Sequence, residues 1–211
     1  MKVAALVPVK GFARGKQRLR ARFSAREVEA IERAMLEDVL GALLSSRVAA
    51  TYVVTGDDTV AEAALQAGVA VRRLLPDPGL NAALDLVERE IADYGYDASL
   101  VVLGDLPLLG AAHIDLVVDA PGTHGVAIVP ARDGGTALML RRPPQCIPAR
   151  FGPASAREHL LAAAARGVRV HVETRIDEAV RSDLDTPEDA RRLLAEAPAC
   201  RTQAVLRDLR W

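Results

Sequence analysis

Residues 1–22 read MKVAALVPVKGFARGKQRLRAR, a short Val-rich run opening into a loop that carries Lys10, Arg14, Lys16, Arg18, Arg20 and Arg22. The run VAALVPV is apolar throughout rather than alternating, the pattern of a strand buried on both faces of a parallel sheet. In an open α/β sheet such a strand directs its carboxyl end into a ligand crevice. Cations and backbone amides gathered at that end suit an anion, above all a polyphosphate. The loop approaches the P-loop pattern without meeting it. Gly11 and Gly15-Lys16 are separated by three residues, not four, and Gln17 stands where the magnesium-binding hydroxyl belongs. A solvated basic loop ahead of a helix accounts for the same residues, so the function must be read from the rest of the chain as well.

Working outward, Ser24 and Glu27 form a Ser-x-x-Glu capping box ahead of Val28, Ile31, Met35, Val39 and Leu43, which predicts a helix to about residue 45. Strand and helix then alternate: TYVVTG, a helix over residues 57–67 closed by Gly68, VAVRRLL, and a helix over 80–94. A buried strand over 100–103 ends at Gly104-Asp105, and Pro107 prevents its continuation. After a helix over 111–118, GVAIVPA and TALMLRR form a hairpin through Asp133-Gly134-Gly135. Ser155 and Glu158 read as a second capping box, VRVHVET as a strand, and Thr186-Pro187-Glu188-Asp189 as the capped start of the last helix. The expectation is one α/β domain over residues 1–196. The tail, 197–211, is alternately basic and apolar and has no assignable role.

At 211 residues and 50% hydrophobic content the chain can bury a sizeable core. A net charge of −1 and a pI near 6.4 leave no global field to attract nucleic acid or an anionic membrane. Cys146 and Cys200, without CxxC spacing, argue against a disulfide framework or structural zinc and suit a reducing cytoplasm. No apolar run has signal or membrane-spanning length, so a soluble cytoplasmic protein is expected. Oligomeric state is left open, a homodimer included.

Three features fall where an open α/β sheet places its crevice: the basic loop, Asp105, and Asp183 with Asp185 in RSDLDTPED. Together they read as cations for phosphates and carboxylates for a metal. Magnesium takes a few carboxylate oxygens and leaves its other positions to water and phosphate, so dispersed aspartates suit it. Each also has a plainer reading. Asp105 suits a turn before Pro107, and Asp183 and Asp185 a charged turn near a helix cap. His113, His124, His159 and His171 show no ligand spacing and are expected as surface or core filler.

The set in order carries a resemblance. It comprises VPVK with Lys16, Arg18 and Leu19; Gly79-Leu80-Asn81; Asp105-Leu106-Pro107-Leu108; Asp133-Gly134-Gly135-Thr136; Phe151-Gly152 with Ser155; and Asp183-x-Asp185-Thr-Pro-Glu-Asp. Across residues 1–196 the chain resembles the 2-phospho-L-lactate and phosphoenolpyruvate guanylyltransferases of coenzyme F-420 biosynthesis. The resemblance implies a single-domain three-layer sandwich on a mixed, Rossmann-like sheet of the nucleotide-diphospho-sugar transferase type. It also implies transfer of GMP from GTP to a phosphorylated three-carbon acid, with Mg2+ as cofactor. Residue by residue, Asp105, Asp183 and Asp185 would hold magnesium, and Thr136, Gly152 and Ser155 the acceptor. Lys10, Lys16 and Arg18 would take the triphosphate, while Thr55, Gly56 and Asn81 would lie near the nucleoside. The chain departs from the family at Gly104, where a small Ala is usual, and at Ala137, where GGTN reads GGTA. The second departure puts the acceptor's identity in question.

The implied step is in-line attack of the acceptor phosphate on the α-phosphorus of GTP. That nucleophile is already ionised, which agrees with the lack of any Ser/His/Asp or Cys/His set. Competing readings are another nucleotidyltransferase of the same fold, with a molybdopterin or sugar-phosphate acceptor, and a nucleotide-binding module without turnover. A nicotinamide dehydrogenase fits poorly, because no G-x-G-x-x-G follows a predicted strand.

Overall fold

The computed structural model describes residues 1–12, 16–120, 122 and 125–209, so Arg14, Gly15 and His124 lie outside the described residues. Among the described residues the strands are β1 (Val3–Pro8), β2 (Ala50–Thr55), β3 (Ala70–Arg73), β4 (Ala98–Val102), β5 (Gly125–Pro130), β6 (Thr136–Arg142) and β7 (Val170–Val172). They form one sheet in the order β3-β2-β1-β4-β6-β5-β7. All pairings are parallel except those of β6, which runs antiparallel to both β4 and β5. The expected hairpin exists, but its second strand inserts between β4 and β5. That inversion places the first residue of β6 at the carboxyl edge of its neighbours: Leu138 lies opposite Val102 and Thr136 opposite Pro130.

The helices are α1 (Ala25–Leu44), α2 (Asp58–Gln66), α3 (Leu80–Asp93), α4 (Ala111–Val118), α5 (Ser155–Ala165), α6 (Pro187–Ala195) and α7 (Arg201–Asp208). Because strand side chains alternate, β1 sends Val3, Ala5 and Val7 to one face and Ala4 and Leu6 to the other. The first face is covered by α1, α2 and α4 through Leu36, Val39, Val60 and Ile114. The second is covered by α3 and α5 through Leu84, Ile91 and Ala163. This is a three-layer sandwich. No helix among the described residues is long and apolar enough to cross a membrane.

The helix starts show which local signals held. Ser24 caps α1 as its spacing requires: its Oγ accepts from Glu27 N–H at 3.3 Å while its own N–H donates to Glu27 Oε2 at 2.7 Å. Thr186 caps α6 in the same reciprocal way with Asp189. Ser155 does not cap α5. The cap position falls on Ala154 in left-handed backbone, φ 54°, and the Ser155 hydroxyl instead donates to Thr136 Oγ1. A tertiary partner outcompetes the local box. Beyond Pro198 the chain folds as α7, capped from outside by Asp38 of α1, which accepts from Arg201 N–H, Thr202 N–H and Thr202 Oγ1–H at 2.7–2.9 Å. Leu206 and Leu193 pack there with Leu19 and Ile31 in a third apolar cluster. Under α3, Arg141 donates to Glu88 at 2.5 Å, both side chains fully buried, and Ser99 Oγ donates to the same carboxylate at 2.6 Å.

Candidate active site

The loop after β1 enters a cavity of about 290 Å³ at the carboxyl edge of the sheet, lined by Lys10, Gly11, Phe12, Lys16, Glu32, Asp105 and Asp185. Lys16 is held in left-handed backbone, φ 45° and ψ 41°, as the cap of a short 3-10 helix over Gln17–Ala21. Such a conformation costs a non-glycine residue on the order of 1 kcal/mol and persists only where surroundings enforce it. Two of those surroundings are on hand. Leu19, fully buried, anchors the short helix, and Lys16 Nζ lies 2.5 Å from both Asp105 Oδ2 and Asp185 Oδ1. Arg18 reaches the other oxygen of Asp185 at 2.5 Å. Burial works against the Lys16 charge, but the two carboxylates outweigh it and raise its pKa above the ordinary lysine value.

Asp105 follows β4 through Leu103 and Gly104, with Leu103 N–H donating to Ala137 O at 3.3 Å. A Cβ on Gly104 would meet Val9 Cγ2 at 3.1 Å, so glycine relieves contact with the first loop. Asp183 and Asp185 flank buried Leu184, and the Asp185 and Thr186 amides both donate to Asp189. Oxygens of Asp105, Asp183 and Asp185 then lie within 4.8 Å of one another. The cluster is under-compensated. Asp105 Oδ1 is buried without a hydrogen-bond partner. Burial, then the charges of Asp185 and Asp105, push Asp183 up to about 6. An orphaned buried oxygen and a repelled carboxylate fit a site with room for a further hard cation.

A second cavity of about 200 Å³, lined by Thr55, Gly56, Leu74, Leu80 and Leu103, adjoins the first and shares Lys10 with it. Thr55 and Gly56 therefore face a mostly apolar pocket beside the cationic one. Asn81 does not line either cavity. Its amide grips the backbone of Phe151, accepting from Phe151 N–H at 2.7 Å and donating to Phe151 O at 3.1 Å. Of the residues named for the acceptor, Thr136 and Ser155 are hydrogen-bonded to each other at 3.1 Å, and Ser155 N–H donates to Gly152 O. Gly152 has φ +141°, a backbone closed to other residues. Ala137 is fully buried in the apolar layer beneath the sheet, so the missing amide concerns packing at that position.

Two residues escape the sequence reading. Glu32 on α1 is 9% exposed, lines the first cavity and has an unpartnered Oε2; burial raises its pKa to about 7. The available signal was a charge within the apolar stripe, one residue after Ile31. His159, expected as filler, is fully buried and bonds both Thr136 Oγ1 and Arg150 N–H, each at 3.0 Å. No local spacing announces it, because its partners lie on other elements.

A mixed sheet at the centre of a three-layer sandwich, with cations and a carboxylate cluster at its carboxyl edge, defines a nucleotidyltransferase of the nucleotide-diphospho-sugar transferase fold. A solved chain from Desulfovibrio desulfuricans described as a nucleotide-diphospho-sugar transferase superposes with a TM-score of 0.79 at 20% identity, covering 99% of this chain and 95% of that one. More specifically, the chain belongs to the family described as Guanylyl transferase CofC like, which it matches over residues 3–211. It is 38% identical over 200 residues to a phosphoenolpyruvate guanylyltransferase from Sphaerobacter thermophilus, spanning 94% of this chain and 95% of the relative. It is 31% identical over 211 residues to a 2-phospho-L-lactate guanylyltransferase from Methanothermobacter thermautotrophicus, 100% and 92% of the two chains. A 3-phospho-D-glycerate guanylyltransferase from Phenylobacterium zucineum is 36% identical over 214 residues, 98% and 97%. The protein is a guanylyltransferase.

Proposed function

We propose that this enzyme transfers GMP from GTP to the phosphate of phosphoenolpyruvate or 2-phospho-L-lactate, releasing diphosphate, as a step of coenzyme F-420 biosynthesis. The observation that carries the reading is the cluster of Asp105, Asp183 and Asp185, with Lys16 bridging Asp105 and Asp185 at the wall of a cationic cavity. The acids in the relatives' names share one phosphate and one carboxylate. Asp105, Asp183 and Asp185 would hold Mg2+, which when bound neutralises negative charge on the phosphate oxygens.

The chain's own residues supply the rest. Lys10, Lys16 and Arg18 bring positive charge to the triphosphate, Lys16 from a nearly buried position where a charge acts through a lower dielectric than water. The apolar pocket beside Thr55 and Gly56 receives the nucleoside. Thr136, Ser155 and the Gly152 turn orient the acceptor, whose phosphate oxygen forms the new bond to the α-phosphorus as the bond to the bridging β-phosphate oxygen breaks. The nucleophile is ionised at neutral pH, so positioning and charge neutralisation replace a general base. Incubation with GTP, magnesium and each acid tests the reading by 31P NMR and mass. An adduct of GMP and the acid through a new P–O–P linkage is expected; none, from protein that binds GTP, overturns it.

A further inference from the structure

Thr136 at the start of β6 meets Ser155 and His159, one turn apart on α5, in a buried hydrogen-bonded cluster whose hydrogens can be assigned. Arg150 N–H donates to His159 Nε2 at 3.0 Å. A backbone amide can only donate, so Nε2 carries no hydrogen. The ring cannot lack both hydrogens, so Nδ1 carries one, and the Nδ1 contact with Thr136 Oγ1 at 3.0 Å is a donation from histidine to threonine. Burial, then the charges of Arg141 and Arg150, hold the His159 pKa down to about 4, so the ring is neutral and keeps this tautomer at working pH. Ser155 Oγ–H also donates to Thr136 Oγ1, at 3.1 Å. Both acceptor positions of the threonine oxygen are then filled, and its own hydrogen has no acceptor among the described residues.

The hydroxyl is buried, Thr136 being 1% exposed, at the carboxyl edge of the sheet. Thr136 opens β6, next to Ala137, whose carbonyl accepts from Leu103 N–H two residues before Asp105. The ring also stands edge-to-face on Phe151, centroids 4.9 Å apart, which ties its orientation to the Gly152 turn.

We infer that His159 is a positioning residue that makes the Thr136 hydroxyl an obligatory donor, so that this corner of the site takes an anionic oxygen of the acceptor acid and rejects a group that would itself donate there. The inference rests on the reading of Thr136 as an acceptor contact. A hydrogen left buried without an acceptor is costly, so a ligand oxygen that meets it gains and a ligand donor loses.

Two amide substitutions separate the two bonds of the ring. His159→Asn can place an amide N–H where Nδ1–H donates to Thr136, and His159→Gln can place an oxygen where Nε2 accepts from Arg150. For His159→Gln the acceptor KM rises by about tenfold with the GTP KM unchanged, whereas His159→Asn recovers most of that loss. In a Thr136→Val background the two substitutions become equivalent. Equal effects of Asn and Gln on the acceptor KM, or a difference that persists without Thr136, would overturn the inference. Independently of any variant, long-range 1H–15N NMR of the wild-type ring should show the neutral Nδ1–H tautomer from about pH 6 to 8. An Nε2–H tautomer or a charged ring there refutes it. If no phosphorylated acid supports turnover, the functional reading fails, and the NMR result still decides the hydrogen assignment.

Discussion

On the proposed role of Asp105 and Asp185, Lys16 and a divalent cation would compete for the same carboxylates, so removing the lysine should strengthen metal binding while abolishing most turnover. The ammonium lies 2.5 Å from Asp105 Oδ2 and from Asp185 Oδ1, and a metal held by those residues would sit about 5 Å from it. A +1 and a +2 charge at that separation repel by about 1.7 kcal/mol even at the dielectric of bulk water, somewhat more than tenfold in affinity. The lysine stem can retreat, so the expected gain for Lys16→Met is about five- to fifteenfold. Without metal the variant loses a half-buried bridge and should be about 1–2 kcal/mol less stable, between the values for exposed and buried pairs. Added metal should reverse that loss by mass action. Calorimetric titration of metal-stripped wild type and Lys16→Met with MgCl2 or MnCl2 measures the affinity, and thermal melts in EDTA measure the stability. A folded Lys16→Met protein that binds metal no better than wild type would show that lysine and metal do not share Asp105 and Asp185.

Asp105→Asn keeps the shape of the turn and removes the charge; diphosphate release should fall at least about a hundredfold with the melting temperature nearly unchanged, and undiminished turnover would remove Asp105 from the metal site. The metal-free protein should lose stability as pH rises from about 4 to 7, because Asp183 and Glu32 titrate near 6 and 7 in the folded chain and lower when unfolded, so the unfolded state binds fewer protons in that window. Discounted for partial exposure, Asp183 contributes about 1 kcal/mol of that loss. Melting in EDTA across this range should therefore slope downward, Asp183→Asn should flatten the slope, and an upward slope would contradict the assignment. Arg141→Met leaves Glu88 buried without its counter-charge and should cost about 3–5 kcal/mol in chemical denaturation, against less than about 1 kcal/mol if the pair were dispensable.

What the sequence made legible was whatever rests on neighbours in the chain. The apolar run of β1, the reciprocal caps at Ser24 and Thr186, and the turn at residues 133–135 are local, and each forms as its chemistry dictates. Insertion of β6 between β4 and β5 was not legible, since a hairpin pattern does not say which strand pairs outward. Ser155 looked like a cap because nothing nearby reveals that Thr136 waits nineteen residues upstream. Asn81, which the resemblance places near the nucleoside, holds the backbone of Phe151, seventy residues away, a link that no local pattern announces. His159 and Glu32 stayed invisible for the same reason: their importance lies in partners, or the lack of one, that only the tertiary fold defines. Lys16, Arg18, Asp105, Asp183 and Asp185 came together because each follows or precedes an element whose end the sequence marks.

The most direct test of the central claim is magnesium-dependent diphosphate release with GTP, ATP and CTP, each paired with phosphoenolpyruvate, 2-phospho-L-lactate and 3-phosphoglycerate. The account predicts release that requires GTP, magnesium, and phosphoenolpyruvate or 2-phospho-L-lactate. Release that prefers ATP or CTP, or none with either acid from protein that binds GTP, would contradict it.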